Sequence, residues 1–443
     1  MMLLLLQLPY WSLLPVMHFA SSWGSSCSSV SSLSLIRIAC AARWLRLFKE
    51  RYTVSGSSSF PTGQGGGPIV RFVVCLGRLI GRLLPYYNPS GLFFFFPFYH
   101  TGGAEKVHSQ IVSCFKEQQP WLFFAKRSAD SGFYRQFEQA GRCIDLGWLL
   151  KYTYPLSTGI LAGLIDKHPN ARLFGCNSLY YYLLLPHLPD HVRATDLLHA
   201  LGGGAEQYAL PVLERLQQRV VISQAVRDEL IAWYRTQGVD PRLDQRIMVI
   251  PNQVEMPQTV NKPAADGVLR LLFVGRGGVE KRVQLIGRAA RICTEQGLAV
   301  EVTLAGDLDD AIAAEDRACC RLTGLISVGD QLSRLYQQAD LLLITSSREG
   351  FPLTVMEGMA HGCVPVCTAV GGIPEHITHR ENGWLLPAGD DEAVVHALVQ
   401  AVQTLSDNRH LLQQLSAAAR HYADTRFSGE RFCEQYHDVI RGV

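Results

Sequence analysis

Residues 269–282 read LRLLFVGRGGVEKR, and the order of chemistry in that stretch decides the architecture. Leu269–Val274 is apolar except for Arg270, the length of one buried strand. Gly275, Gly277 and Gly278 then end the strand, with Arg276, Lys281 and Arg282 close by, before a helix-period segment starts. Strand, glycine turn and helix make the opening βα unit of a parallel sheet. Small residues let backbone N–H groups approach an anion, a helix N-terminus favours negative charge, and Arg276 can hold phosphate oxygens through two nitrogens. The turn matches neither Gly-x-x-x-x-Gly-Lys-Ser/Thr nor Gly-x-Gly-x-x-Gly, so neither a P-loop nor a dinucleotide fingerprint is read from it. Solvated cations after a strand are the plain alternative.

Similar units continue in both directions. Downstream, strands are expected at 299–305, 324–328, 341–345, 364–368 and 384–386, with helices between them. Upstream, LFFFFPF (92–98) reads as a buried strand, followed by the glycine turn Thr101-Gly102-Gly103-Ala104-Glu105 and a helix. Further strands are expected at 121–125, 171–175, 192–198, 219–223 and 247–250. Polar, turn-rich QTVNKPAADG (258–267) interrupts the periodicity and reads as a linker. The expectation is two doubly wound α/β domains, 91–257 and 268–427, and a segment 428–443. Ligands in such sheets sit beyond the carboxyl ends of the strands.

Composition narrows the function. Of 443 residues, 48% are apolar and 18% charged, which suits a large buried core. Lys plus Arg (41) nearly balances Asp plus Glu (39), so no global field points to nucleic acid. The twelve cysteines are scattered without a Cys-x-x-Cys pair, which suggests neither a disulfide framework nor zinc and fits a reducing compartment. His187/His191 and His376/His379 have ligand-like spacing but no third ligand beside them, so no metal is expected.

Residues 1–90 follow other rules. The first hundred residues hold eight basic side chains and one acid, Glu50, and serines crowd 21–34. This extension resembles an organelle transit peptide, or is an extension without a folded role. Pro68–Tyr87 (PIVRFVVCLGRLIGRLLPYY) reads as a helix framed by prolines, with Arg71, Arg78 and Arg82 within about 40° of one another. Such a helix can lie in a bilayer interface, or pack on the next domain with its arginine edge in water.

Ser347–Ala360, SREGFPLTVMEGMA, carries the second constellation. Glu349 caps an expected strand, Pro352 starts a helix, and Glu357 falls in that helix's second turn among apolar neighbours, where a carboxylate needs a partner. One acid can reach sugar hydroxyls while the other accepts both hydroxyls of a ribose.

EGFPLTVME resembles the Glu-x7-Glu motif of retaining glycosyltransferases of family 4, which have the GT-B fold. Val274-Gly275-Arg276 with Glu280-Lys281 resembles that family's diphosphate turn. VGGIPE (370–375), NGWLLP (382–387), Gly102-Gly103-Ala104-Glu105-Lys106, Val221-Ile222-Ser223 and Ile250-Pro251-Asn252 are similar to its other blocks. Gln253 departs from the usual Pro-Asn-Gly, and Gly277-Gly278 replace bulkier residues.

The resemblance implies two Rossmann-like domains facing a cleft and a nucleotide-sugar donor as co-substrate, with no bound metal or other cofactor. It implies that Arg276 and Lys281 neutralise the diphosphate and that Glu357 holds the ribose. Glu349, Gly350 and Phe351 would position the sugar, Gly102 and Gly103 would admit the reacting centre, and His199 (in DLLHA) would face the sugar. The resemblance also hints at Glu375, with no role assigned. The acceptor would be a glycan or lipid-linked sugar in cell-envelope or exopolysaccharide synthesis. The location would be cytoplasmic, at the inner face of the plasma membrane if 68–87 docks there, and the C-terminal helix would cross back to the first domain. The competing readings are a non-catalytic nucleotide-sugar binding subunit and a dinucleotide-dependent oxidoreductase, the latter lacking its glycines.

Overall fold

The structure is a computed structural model describing residues 68–442 apart from 261, 263–266, 309 and 327–329. The readings made for 1–67, and much of the linker 258–267, lie outside the described residues.

Thirteen strands form two parallel sheets among the described residues. The first contains β1 (Leu92–Phe96), β2 (Trp121–Phe124), β3 (Arg142–Asp145), β4 (Arg172–Cys176), β5 (Arg193–Leu198), β6 (Leu216–Val221) and β7 (Ile247–Val249), ordered 3-2-1-4-5-6-7. The second contains β8 (Leu269–Val274), β9 (Val300–Ala305), β10 (Cys320–Leu322), β11 (Leu341–Ile344), β12 (Val364–Thr368) and β13 (Trp384–Leu386), ordered 10-9-8-11-12-13. Each sheet reverses its winding beside its first strand, between β1 and β4 and between β8 and β11. Those switch points open crevices for ligands.

Helices cover both faces, so the central strands are buried on both sides: every residue of LFFFF in β1 and LLLI in β11 is buried. The helices that matter below are α1 (Pro68–Leu83), α2 (Gly103–Ser113), α3 (Gly147–Asp166), α4 (Gln224–Thr236), α5 (Gln284–Glu295), α6 (Asp330–Gln338), α7 (Leu353–Ala360), α8 (Asp391–Asp407), α9 (Arg409–Arg426) and α10 (Gly429–Arg441).

Two strands differ from the sequence reading. β3, RCID, is short and polar at its ends, so it carries no long apolar run to betray it. The strand expected at 324–328 lies earlier, at Cys320–Leu322, where it pairs with Val302–Leu304. Thr323 and Gly324 already belong to the loop after it, and Gly324 has a positive φ of 69°.

Helix α1 packs lengthwise on α3. Gly77 and Gly81 of one helix and Gly159 and Gly163 of the other leave no room for a Cβ, because each faces the other helix's backbone. Arg78 and Arg82, two members of the sequence's arginine stripe, both bind Asp166 at the end of α3. Ile69, Phe72, Leu76, Leu79 and Leu83 are exposed on the solvent side, next to the exposed Arg71 and Arg82.

Between β5 and β6, Asp196 and Arg219 form a fully buried ion pair at 2.9 Å. Tyr182 donates to Asp196 and Arg219 donates to Tyr234, each at 2.8 Å. The network fixes the end of β5, from which His199 emerges.

Helix α10 lies against the first sheet. Tyr436 meets Phe174 edge-on, and Cys433 forms a disulfide with Cys114 just past α2. The scattered cysteines suggest no disulfide framework and a reducing compartment, and this one bridge corrects that reading. The partners are 319 residues apart, a pairing that sequence spacing cannot reveal. In an oxidising buffer the Cys433→Ser variant should unfold at lower temperature than the wild type, by the equivalent of about 2–4 kcal/mol. Reductant should bring the wild type down to the variant, and superimposable melts in both buffers would refute a stabilising bridge.

Candidate functional site

The carboxyl ends of β8 and β11 bring the second-domain residues together. The turn after β8 carries Arg276 and leads into a short 3-10 turn containing Lys281. The loop after β11 carries Glu349. Lys281 Nζ lies 2.7 Å from Glu349 Oε1, and Ser346 donates to the same oxygen at 2.6 Å. Glu349 is nearly buried at 8% side-chain exposure, while Lys281 keeps 26%. Arg276 is exposed and forms no ion pair among the described residues. Its charge reaches Glu105 on the other side of the cleft.

Glu357 sits in the second turn of α7. Tyr336 of α6 donates to its Oε2 at 2.8 Å, and Lys106 Nζ contacts its Oε1 at 2.5 Å. Lys106 belongs to α2, in the first domain, so this ion pair spans the cleft. Sequence reasoning quoted Lys106 within a motif but gave it no role. The available signal was a cation in the first turn of a helix, where the dipole disfavours it unless an acid answers from elsewhere.

Glycines let the two sides close. A Cβ on Gly350 would lie 2.9 Å from the carbonyl oxygen of His199 and from Ile222 Cδ1. Gly371, with φ of 54°, has its Cβ position filled by the Glu349 carbonyl, and Gly372 N–H donates to Gly350 O at 2.6 Å. The VGG block therefore wraps the Glu349–Gly350 loop. Gly103 faces Leu353 of α7, and the Glu105 carboxylate folds back over Gly102. Burial raises the Glu105 pKa. Phe351 turns its ring inward onto His376, centroids 4.2 Å apart, leaving only its backbone toward the cleft.

Two further contacts join the domains. Arg348 donates to Leu201 O, and Glu375 accepts from Gln224 N–H at 2.8 Å and Ala225 N–H at 2.5 Å, capping α4. Glu375 thus acts as a cross-domain helix cap. Gln253, the departure from Pro-Asn-Gly, places its side chain against Gly429 at the start of α10.

His199 follows β5, and its Nε2 lies 3.2 Å from His108 Nε2. Burial lowers the pKa of His199 to about 4 and that of His108 well below the usual value. Both rings are therefore neutral at pH 7 and share one N–H···N bond. With Cys176 they form a trio whose ligand atoms all lie within 4.8 Å of one another. Zinc would need Cys176 as thiolate. Burial, with Asp196 and Glu105 nearby, pushes that thiol well up instead. The chemistry favours a neutral hydrogen-bonded cluster that orients His199.

The arrangement defines a class: a two-domain GT-B fold with a cleft of paired acids and cations at the switch point of its second sheet. Residues 269–404 match the family described as glycosyl transferases group 1. Among curated relatives, the amylovoran biosynthesis glycosyltransferase AmsK of Erwinia amylovora is 32% identical over 200 residues, 42% of this chain and 48% of AmsK. The N-acetyl-alpha-D-glucosaminyl L-malate synthase of Bacillus anthracis is 33% identical over 175 residues, covering 36% and 43%. The chain spans about half the length of these curated relatives. Among solved structures, Anabaena HepE in complex with UDP-glucose superposes with a TM-score of 0.62 at 16% identity, over 80% of this chain and all of that one.

Two outcomes are expected. Lys106→Met should open the empty cleft, seen as a larger radius of gyration by X-ray scattering, and an unchanged radius would contradict a closing role for the ion pair. Because His108 and His199 bind protons less readily when folded than when unfolded, stability should fall as pH drops from about 6.5 toward 4. A His108→Asn variant should show a shallower fall in melting temperature across that window.

Proposed function

We propose that the protein transfers a sugar, with retention of anomeric configuration and without a metal ion, from a nucleotide-sugar donor to a glycan or lipid-linked acceptor. The observation that carries this reading is the convergence of Arg276, Lys281, Glu349 and Glu357 at one switch point, facing the Gly102–Gly103 turn. Arg276 and Lys281 neutralise the diphosphate and stabilise the charge that grows as it leaves. Glu357 accepts the ribose hydroxyls. Glu349 and the backbone N–H groups of Gly350 and Phe351 fix the sugar, and neutral His199 hydrogen-bonds it from the first domain. The acceptor hydroxyl attacks on the face the diphosphate departs from, and a departing phosphate oxygen takes its proton. Closure of the cleft keeps water from the donor.

The curated name of the Erwinia relative, concerned with amylovoran biosynthesis, supports exopolysaccharide or cell-envelope synthesis as the setting. We place the protein peripherally at the inner face of the plasma membrane, a contact that the exposed apolar side of α1 suits. No helix among the described residues is long and apolar enough to cross a membrane.

Glu349→Ala, Arg276→Ala and Lys281→Ala should each lower sugar transfer by roughly 10²-fold or more, the scale of removing one preorganised charge contact. Circular dichroism should stay as in the wild type. Full transfer in all three would refute the assignment. Phe72→Asp with Leu79→Asp should abolish sedimentation with anionic vesicles while leaving transfer to a soluble acceptor intact, and unchanged sedimentation would remove α1 from the reading.

A further inference from the structure

Away from the donor cleft, where the two domains join, lies a second cavity of about 200 Å³. Its lining comes from three places: Asn252 just past β7, Glu375 and His376 beyond the VGG block, and Arg426, Arg431 and Gln435 at the turn from α9 into α10.

The lining has unmet demands. Asn252 is 95% buried by its 5% exposure, yet its Oδ1 has no hydrogen-bond partner. His376 bonds Tyr422 OH through Nδ1 at 3.2 Å, which leaves its buried Nε2 bare. A hydroxyl would satisfy that nitrogen in either tautomer, by donating or accepting. Arg426 lies over the Tyr422 ring, 5.9 Å from its centroid, and neither it nor Arg431 forms an ion pair among the described residues. Glu375, the acid nearest to them in the lining, has both carboxylate oxygens committed to capping α4. The cavity is therefore lined by two solvent-exposed guanidinium groups without an acid partner among the described residues and by two residues, Asn252 and His376, that each carry a bare buried polar atom, in a space several times larger than one water.

We propose that this hinge cavity is a binding site for a phosphorylated sugar, the phosphate held by Arg426 and Arg431 and the hydroxyls by Asn252 and His376, and that its occupancy favours the closed cleft. Planar guanidiniums match phosphate oxygens, and a polyol supplies the donors and acceptors the buried atoms lack. Coupling follows from contact. His376 packs its ring against Phe351, which belongs to the loop at the donor cleft, and its neighbour Glu375 ties that region to α4 of the first domain. A ligand touching Asn252 and His376 together bridges the domains at their junction.

The test is isothermal titration of the full-length protein with glucose 6-phosphate, glucose and inorganic phosphate, with and without saturating UDP. Glucose 6-phosphate should bind with UDP present, inorganic phosphate more weakly, and glucose not at all. Arg426→Gln with Arg431→Gln should weaken glucose 6-phosphate at least tenfold, a loss on the scale of charged hydrogen bonds, while UDP still binds. Should that pair fail to fold, Gln435→Trp fills the cavity without removing a cation and should have the same effect. Absence of glucose 6-phosphate binding, its displacement by UDP, or wild-type affinity in the folded variant would overturn the proposal. None of these outcomes bears on sugar transfer, so the two assignments fail separately.

Discussion

A carboxylate shut away from water needs a cation, and the cleft is organised by that requirement. Glu349 and Glu357 are both nearly buried, and each is answered by a lysine. For Glu349 the lysine belongs to the same sheet, across the β8–β11 switch point, so the pair exists whether the cleft is open or shut. For Glu357 the lysine comes from the other domain, so the pair exists only when the cleft is shut. One ion pair presets the site and the other reports its closure. Both lysines keep about a quarter of their side-chain surface, so the energies fall short of the roughly 3–5 kcal/mol lost on breaking a fully buried pair. That moderate strength suits groups that must exchange partners when a ligand arrives.

Closure also needs backbone to meet backbone, and glycine is the residue that permits it. Gly350 passes under the His199 carbonyl, and Gly371 and Gly372 wrap the loop that holds Glu349. A side chain at Gly350 or Gly372 would press on the first domain, at His199, Ile222 or Ser223, and leave Lys106 short of Glu357, while one at Gly371 would displace the Glu349 loop itself. The glycines and the ion pairs thus depend on each other: the first set the distance, the second make that distance favourable.

The second domain was far more legible in the sequence than the first, for a physical reason. Its strands are short apolar runs ended by glycine or by a charged turn, and the residues binding the expected diphosphate lie within those turns, so strand and site are read from one stretch. The matched segment 269–404 covers most of that domain. In the first domain the informative contacts are distant in sequence. Lys106 meets Glu357 251 residues away, Cys114 meets Cys433, and His108 meets His199 across 91 positions. Periodicity reports one helix's own faces and is silent on such partners. The short strands β3 and β10 escaped precise placement because three or four residues with polar ends carry too little alternation.

The arginine stripe of α1 shows what periodicity leaves open: the helix packs on the first domain while Arg71 and Arg82 stay exposed. The spacing of Arg71, Arg78 and Arg82 is real, but amphipathicity alone does not say which side a neighbour takes. The four glycines decide it. Gly77 and Gly81 admit α3 so closely that its terminal Asp166 captures Arg78 and Arg82, and the covered strip is the glycine strip, too narrow to include the large side chains. Ile69, Phe72, Leu76, Leu79 and Leu83 are therefore turned out by the same contact that anchors the helix. A helix pair built this way spends its small residues on association and keeps its apolar ones for an outside surface, which in this protein lies on the domain expected to receive the acceptor.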